Sequence, residues 1–217
     1  MQLRLIIVSH APIRSYVYPA YGVASLGKVA VEVTLQLYLF DFYTRVLGLD
    51  PILAGLAFGV AIFWDAVSDL IVSAGLFKAR SCGVRYTSAL WLGAVLLAIA
   101  TVLLFSPFST SSTAYLFSHL LIAYVLVNTG MTLLDLPQSS LSAELSRESN
   151  ERNKLLASRM AFGIFGLAIG SALPGIYLAG LEGEPSNAMV IDSRSVSAWW
   201  LAAIVLVTGT LTAVFLR

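Results

Sequence analysis

Six long runs of apolar residues, separated by short polar links, occupy most of the 217-residue chain. A helix needs about 20 mostly apolar residues to cross the roughly 30 Å hydrocarbon core of a bilayer. The runs do not alternate between polar and apolar positions, which excludes a transmembrane β-barrel. The pattern predicts six transmembrane helices, over residues 21–44, 52–76, 86–105, 114–136, 156–179 and 196–216.

Composition indicates the same class of protein. Hydrophobic residues make up 58% of the chain and charged residues 12%, about half the charged fraction of a typical soluble domain. The net charge of +1 gives no electrostatic footprint for a nucleic-acid partner, and the single cysteine, Cys82, excludes a disulfide framework. We therefore expect an all-α membrane protein whose surroundings are the lipid bilayer.

Basic residues are distributed unequally between the two sides of the predicted bundle. One side carries an N-terminal tail, residues 1–20, and the basic positions Lys78, Arg80, Arg85, Arg147, Arg152, Lys154 and Arg217. The other side has only Arg45 and Arg194. Because cytoplasmic loops carry the excess of Lys and Arg, both termini are predicted to be cytoplasmic. The protein is expected in the plasma or inner membrane of the cell.

Four acidic residues fall well inside predicted spans: Glu32, Asp65, Asp69 and Asp135. A charged Asp at mid-membrane costs roughly 2.5–3.5 kcal/mol, so such residues face a bundle interior or a water-filled cavity. Asp65 and Asp69 are four residues apart and share one helix face. Their charges repel there, which favours a proton or a bound cation between them.

On the fourth span, Thr132 and Asp135 lie three residues apart and also share a face. Oxygen ligands alone suit a hard cation rather than a soft metal. The pattern thus predicts a Na⁺ or H⁺ site between the second and fourth spans, with an interhelical network of protonated carboxyl groups as the alternative. Lys28 is spaced to pair with Glu32. Arg159 opens the fifth span, either as a surface anchor or as part of a site.

Four stretches carry a resemblance to a known family: YTRVLGL at 43–49, WDAVSD at 64–69, LLDLP at 133–137, and ERNKL with the following SRM at 151–160. In combination they resemble the glycoside–pentoside–hexuronide:cation symporters, the melibiose-permease-like branch of the major facilitator superfamily. That family has twelve spans in two six-helix halves around a midplane cavity. The resemblance implies that this chain is the N-terminal half of such a fold, with the C-terminal half or a second copy as its partner.

The resemblance also implies roles for individual residues. Asp65, Asp69, Asp135 and Thr132 correspond to cation ligands, and Ser68, where the family commonly has Asn, is counted with them. Arg159 and Lys28 correspond to residues that contact sugar. The family's sugar-binding Asp is Val29 here and its stacking aromatic residue is Ser139, so we expect Glu32, one turn from Val29, to contribute to substrate binding instead.

The predicted function is cation-coupled secondary transport of a small organic solute, either a sugar, a glycoside or an amphiphile, with no cofactor except the coupling ion. One alternative is a membrane scaffold that keeps a degenerate transporter half-fold and transports nothing. Another is an enzyme of the CDP-alcohol phosphatidyltransferase type, because Asp65 and Asp69 match the last part of its motif. The first part of that motif, D-x-x-D-G-x-x-A-R, is absent upstream.

Overall fold

The computed structural model describes residues 14–81, 85–107, 112–146, 148–176, 179 and 185–216. Over these ranges the chain is helical and contains no strand. The helices are α1 (Val17–Gly22), α2 (Ala24–Thr34), α3 (Pro51–Ser81), α4 (Tyr86–Phe105), α5 (Thr113–Leu145), α6 (Ser149–Ile176) and α7 (Asn187–Phe215), with π-helical turns at Leu35–Leu39 and Phe42–Val46. Residues 1–13, Arg147 and Arg217, on which the predicted orientation partly depends, lie outside these ranges.

Five of the described helices, α3 to α7, are long and apolar enough to cross a membrane. They correspond to the second to sixth predicted spans. The first predicted span, 21–44, lies in a succession of shorter helical pieces: α1, α2 and the two π-helical turns. The residues that join these pieces, Val23, Phe40 and Asp41, keep right-handed helical backbone angles. The total of six spans therefore stays a prediction.

Four of the long helices extend beyond one of their predicted ends: α3 at its C-terminal end, α6 at its N-terminal end, and α5 and α7 the furthest. The span predicted to end at residue 136, before Pro137, continues as α5 to Leu145. A proline removes the N–H that the carbonyl four residues earlier would accept, here that of Leu133. That carbonyl lies against Gly93 of α4, where a Cβ would come within 2.8 Å of the oxygen. The helix thus passes through the proline at a point where α4 and α5 are in close backbone contact.

The last helix, α7, begins nine residues before its predicted start at 196. Its polar first turns are held by the end of α6, because Ser193 and Arg194 both donate to the carbonyl of Pro174, at 3.2 and 2.8 Å. These polar residues are therefore helical because they cap a neighbouring helix. An apolar pattern alone does not reveal such a role.

Helix α2 packs closely on α6 because α6 presents glycines to it. A Cβ added at Gly166 would lie 2.4 Å from the carbonyl oxygen of Leu26, and one at Gly170 would lie 2.3 Å from that of Ala30. Small residues permit such approaches between transmembrane helices. The hydroxyl of Thr34 donates to the Gly170 carbonyl at 2.9 Å, the group that Pro174 leaves without its helical partner.

Burial is unevenly shared among the long helices. Half of the residues in the most apolar stretch of α4 are buried, whereas only 17% are buried in the corresponding stretch of α3 and of α6. The core cluster lies between α4, α5, α7 and the N-terminal helical pieces. The two most exposed apolar helices, α3 and α6, therefore flank the bundle on the sides that also carry Asp65 and Arg159.

Candidate functional site

A cavity of about 370 Å³ opens between α2, α3 and α5. Most of its polar wall comes from three pairs of residues, each pair on one face of one helix: Lys28 and Glu32, Asp65 and Asp69, and Thr132 and Asp135. Apolar side chains complete the lining, among them Leu35, Tyr124 and Met131. The structure thus brings six of the eight sequence-predicted site residues to the wall of one cavity.

Side-chain hydrogen bonds fix the register of α3 against α5. Ser68 is buried, donates to the Asp65 carbonyl at 2.9 Å, and lies with its Oγ 3.4 Å from Oγ1 of Thr132. Further along, Asn128 donates to the carbonyl of Ala61 at 3.2 Å. These bonds hold the Asp65 and Asp69 face of α3 opposite the Thr132 and Asp135 face of α5.

A third contact between the two helices, from Trp64 Nε1 to Thr129 Oγ1 at 3.0 Å, extends the same helix pairing. The sequence reasoning missed Asn128, Trp64 and Thr129 as contributors. Asn128 carried a signal, because it lies four residues before Thr132 and is the one amide in an apolar run. Helical residues four apart share a face.

Asp135 is the centre of an ion-paired cluster. Its Oδ2 lies 2.7 Å from Nζ of Lys28, and its Oδ1 lies 2.5 Å from a guanidinium nitrogen of Arg159. Lys28 also lies 3.2 Å from Glu32, which is the ion pair predicted from their spacing. Arg159 reaches Ser139 as well, at 3.3 Å. One carboxylate thus accepts from two different cations, one on each oxygen.

Arg159 therefore points to the interior of the bundle rather than to the surface. Its side chain is 24% exposed and that of Lys28 is 15% exposed. Ion pairs so little exposed are only weakly screened by solvent. The sequence allowed Arg159 to be either a surface anchor or part of a site. Its contact with Asp135 is one that a role in a site requires.

The carboxylates share a cavity without forming a closed cage. In the part of the chain that the structure describes, no three His, Cys, Asp or Glu side chains come close enough to hold a metal ion. Asp135 instead forms ion pairs with Lys28 and Arg159. Assignment of Asp65, Asp69, Asp135, Thr132 and Ser68 to a cation site stays a prediction.

Charge balance in the cluster favours an added positive charge. Two cations, Lys28 and Arg159, face four carboxyl groups in and beside the cavity. With every group ionised, the formal excess is two negative charges. Asp65 and Asp69 line the same wall four residues apart on one helix face, so their charges repel each other. Since an uncompensated charge is costly at low dielectric, this arrangement is suited to taking up protons or a cation.

A second cavity, of about 330 Å³, lies on the other side of the cluster, between α2 and α6. Lys28 lines both cavities, and Arg159 lines the second. Val29, which stands where the resembling family has its sugar-binding Asp, faces this second cavity. The ion-paired cluster of Lys28, Asp135 and Arg159 therefore separates the two cavities.

Gln138 is a further residue that the sequence reasoning missed. It is fully buried one turn after Asp135, and its amide donates to the Tyr21 carbonyl at 2.8 Å and to Ser25 at 3.1 Å. It ties α5 to the helical pieces that carry Lys28. Its signal was a glutamine three residues after an intramembrane Asp, at the spacing of one helix face.

A helical membrane bundle with a charged cavity between its helices has the architecture of a membrane transport protein. Comparison with protein families agrees. The family model described as MFS/sugar transport protein matches residues 20–217. The chain belongs to this family.

The relatives of the chain are named as transporters. It is 29% identical to the uncharacterized symporter sll1374 of Synechocystis over 199 residues, which cover 82% of this chain and 35% of that protein. It is 31% identical to the sodium-dependent lysophosphatidylcholine symporter 1 of Gallus gallus over 143 residues, 65% of this chain and 26% of that one. It is 26% identical to the putative sulfoquinovose importer of Salmonella typhimurium over 153 residues, 69% and 32% respectively.

The aligned part of the chain thus spans about a quarter to a third of the length of these relatives. The family and the relatives are transporters rather than enzymes. The Asp65 and Asp69 pair is therefore part of a transporter-family sequence and does not mark a phosphatidyltransferase.

Proposed function

We propose that this chain forms the cation-binding six-helix part of a Na⁺- or H⁺-coupled symporter of a small organic solute. Its first span, predicted at 21–44, lies in the helical pieces between residues 17 and 46 and brings the number of spans to six, and both termini are cytoplasmic. The observation that carries the proposal is the cavity wall that gathers three carboxylates from two helices, Asp65, Asp69 and Asp135, together with Lys28. Membership of the MFS/sugar transport family and the symporter relatives support it.

In this proposal the cation binds to Asp65, Asp69 and Thr132, with Ser68 holding the register of the two helices. Asp135 is shared. Without a cation it neutralises Lys28 and Arg159, and a bound cation competes for its oxygens. Cation binding then alters how firmly the two basic side chains are held, and this difference couples the ion to the solute.

The solute binds, in this proposal, at Lys28, Arg159 and Glu32. Both basic residues line the cavity between α2 and α6, so they favour a solute with an anionic group or several acceptor oxygens. The solutes named for two relatives, sulfoquinovose and lysophosphatidylcholine, each carry an anionic group. The sugar, glycoside and amphiphile classes all remain within the proposal.

A second six-helix bundle, either a C-terminal half or another copy, is the proposed partner. The sparsely buried helices α3 and α6 would pack against it, since α3 lines the first cavity and α6 lines the second. Large apolar side chains on them are open to the outside, such as Phe63 at 72% and Ile164 at 68% exposure. Alternating access then follows from rocking of the two bundles about the charged cavity.

The first experiment measures whether a coupling ion binds. The full chain, purified in detergent, is melted in Na⁺, in Li⁺ and in a large organic cation, at several pH values. We expect Na⁺ or protons to raise Tm, because a ligand present at 100 times its Kd stabilises the folded state by about 2.7 kcal/mol. Asp65→Asn should remove this response.

Asp41→Asn is the matched control, because Asp41 pairs with Arg45 outside the cavity. It should keep the full ion response. If neither Na⁺ nor protons shift Tm, or if Asp65→Asn responds as wild type does, the proposal fails and the scaffold alternative takes its place. Uptake of a panel of sugars, glycosides and lysophospholipids under Na⁺ or pH gradients then identifies the solute.

A further inference from the structure

The hydroxyl of Tyr21 is a buried polar group to which the proposed function assigns no role. Tyr21, on α1, is fully buried, and within the part of the chain that the structure describes its hydroxyl oxygen makes no hydrogen bond. Buried hydroxyl groups are normally bonded, because leaving one unpaired costs free energy. A phenylalanine would fill the same space without that cost, so the hydroxyl calls for a role beyond packing.

Tyr21 lies beside Arg159 of the ion-paired cluster. The residues next to them in the chain are in close contact, because a Cβ added at Gly22 would lie 2.4 Å from Oγ of Ser158 and 2.8 Å from its backbone carbon. One turn earlier on α1, the Tyr18 carbonyl accepts a hydrogen bond from Ser158 at 2.7 Å. Arg159 itself is close enough to interact with the Tyr21 hydroxyl, although no hydrogen bond joins them. The two groups are therefore neighbours where α1 meets α6.

Tyr21 is also held from α5. The amide of Gln138 donates to its carbonyl at 2.8 Å. Ser142, one turn further along α5, is close enough to interact with the Tyr21 hydroxyl. Ser142 donates its own proton to the Ser139 carbonyl at 2.7 Å, so its oxygen is available to accept one. With the Tyr21 proton directed at Ser142, the tyrosine oxygen is an acceptor open to a cationic donor.

Arg159 needs such an acceptor whenever Asp135 is engaged elsewhere. Its guanidinium donates to Asp135 at 2.5 Å and, over a longer distance of 3.3 Å, to Ser139. In the proposed function a bound cation competes for the oxygens of Asp135. A guanidinium that loses its carboxylate inside a membrane bundle is costly unless another acceptor is within reach. Ser139 is already engaged by Arg159, whereas the Tyr21 hydroxyl is not.

We propose that Tyr21 is the positioning residue that receives Arg159 when the coupling ion binds. The guanidinium exchanges the Asp135 carboxylate for the Tyr21 oxygen, which gives the buried hydroxyl its partner and keeps Arg159 inside the bundle. The hydroxyl contributes this hydrogen bond in the ion-bound form alone, and only such a difference between two states shifts the equilibrium between them. The inference rests on the proposed binding of an ion at Asp135.

The first test releases Arg159 without an ion. Asp135→Asn removes the carboxylate, Tyr21→Phe removes the hydroxyl and keeps the ring, and both variants and their combination are unfolded by denaturant as the full chain in detergent. Tyr21→Phe alone should leave stability unchanged. In the Asp135→Asn background it should lower the folding equilibrium constant about tenfold, because Arg159 then depends on it. If Asp135→Asn does not fold, Lys28→Met is added to the background, which leaves one unpaired cation instead of two.

The second test measures ion affinity. Na⁺ is titrated at constant pH and its binding is followed through Tm, with protons as the probe if wild type responds to protons alone. Tyr21→Phe should weaken the affinity about tenfold, because the ion-bound form loses the hydrogen bond to Arg159. A tyrosine with only a packing role would leave this affinity unchanged.

Tyr43→Phe is the matched control. Tyr43 is as buried as Tyr21, but its hydroxyl already donates to the Leu104 carbonyl at 2.8 Å and lies 2.9 Å from Nδ1 of His119. It lines neither cavity of the candidate site. This variant should lose stability and keep the wild-type ion affinity, which is the reverse of the result expected for Tyr21→Phe.

Three results would overturn the proposal. Tyr21→Phe alone could lose as much stability as Tyr43→Phe, which would show that the hydroxyl already has a partner. Tyr21→Phe could cost nothing more in the Asp135→Asn background, or it could bind the ion as tightly as a wild type that responds. A wild type without any ion response contradicts the proposed function instead, and the stability of the combined variant then decides by itself whether Tyr21 receives Arg159.

Discussion

Two arginines are held inside this bundle in different ways. Arg159 of α6 is paired with the carboxylate of Asp135 at 2.5 Å. Arg194 of α7 is 9% exposed, donates to the backbone carbonyl of Pro174 at 2.8 Å, and lies 4.3 Å from the ring centre of Tyr38. Each guanidinium therefore has a partner inside a membrane protein. That of Arg159 is a formal negative charge, and those of Arg194 are a carbonyl dipole and an aromatic face.

The two kinds of partner imply different roles. We call the Arg194 contact, made to a backbone carbonyl, a clamp, and the Arg159 contact, made to a carboxylate, an adjustable site. A backbone carbonyl takes up neither a proton nor a competing salt-bridge partner, and it moves only with its helix. The tyrosine partner is also tied to α6, since the Tyr38 hydroxyl donates to the Ser171 carbonyl at 2.6 Å. A carboxylate can be neutralised by a proton or drawn to another cation. We therefore expect Arg194 to govern stability and Arg159 to govern coupling.

The largest expected effect comes from Asp135→Asn. It leaves Lys28 and Arg159 close together without their shared counter-charge. Breaking a buried ion pair costs about 3–5 kcal/mol, and the partial exposure of these groups places the expected loss near the lower value. Chemical denaturation measures the loss, and the ion-dependent shift of Tm should vanish. A variant that keeps wild-type stability and ion response would show that the cluster has no role in either.

Arg194→Met should cost about 2 kcal/mol, since hydrogen bonds made by charged groups contribute roughly 1.5–3 kcal/mol. The ion-dependent shift of Tm should stay at its wild-type size, because Arg194 does not line the candidate cavity. The same denaturation and melting measurements check both parts. An altered ion response in this variant would break the distinction between clamp and adjustable site.

A glycine substitution tests whether the close approach of α2 and α6 contributes to the stability of the bundle. Gly170→Ala brings a Cβ within 2.3 Å of the Ala30 carbonyl, and such overpacking costs about 1–3 kcal/mol. Gly175→Ala is the control on the same helix, because no described atom lies within 4 Å of its added Cβ. Denaturation should separate the two variants. Equal stability would mean that the helices can move apart at no cost.

The smallest effect is expected at the surface. Arg45→Gln removes an exposed ion pair with Asp41, in which the Arg45 side chain is 85% exposed. Pairs of this spacing on a helix contribute about 0.3–0.5 kcal/mol, and salt should remove the difference between variant and wild type. A loss of stability above 1 kcal/mol would show that exposed ion pairs contribute more than this comparison of the two arginines assumes.

The extent of sequence prediction differs between the fold and the site. Apolar runs of membrane length located the helices that became α3 to α7, because the bilayer sets both their length and their composition. Their ends were less predictable. Pro137 did not end α5, and the polar residues around Arg194 joined α7, since contacts with neighbouring helices decided both.

The candidate site shows the same division. Spacing alone placed Asp65 with Asp69, Thr132 with Asp135 and Lys28 with Glu32, because residues three or four apart share a helix face. It could not show that Asp135 pairs with Arg159, 24 residues away, or that Gln138 ties α5 to Tyr21. Those pairings depend on how the helices are rotated and how closely they approach.

By itself, then, the sequence determined that this is a helical membrane protein with acidic residues inside its spans, since hydrophobic length and helical period are local properties of the chain. The family signature at WDAVSD and LLDLP was likewise readable without a structure. Only the tertiary structure decided which charge meets which. It placed Arg159 on a carboxylate and Arg194 on a carbonyl, because partners distant in sequence are chosen by helix packing, in which glycines such as Gly170 set the distance between backbones.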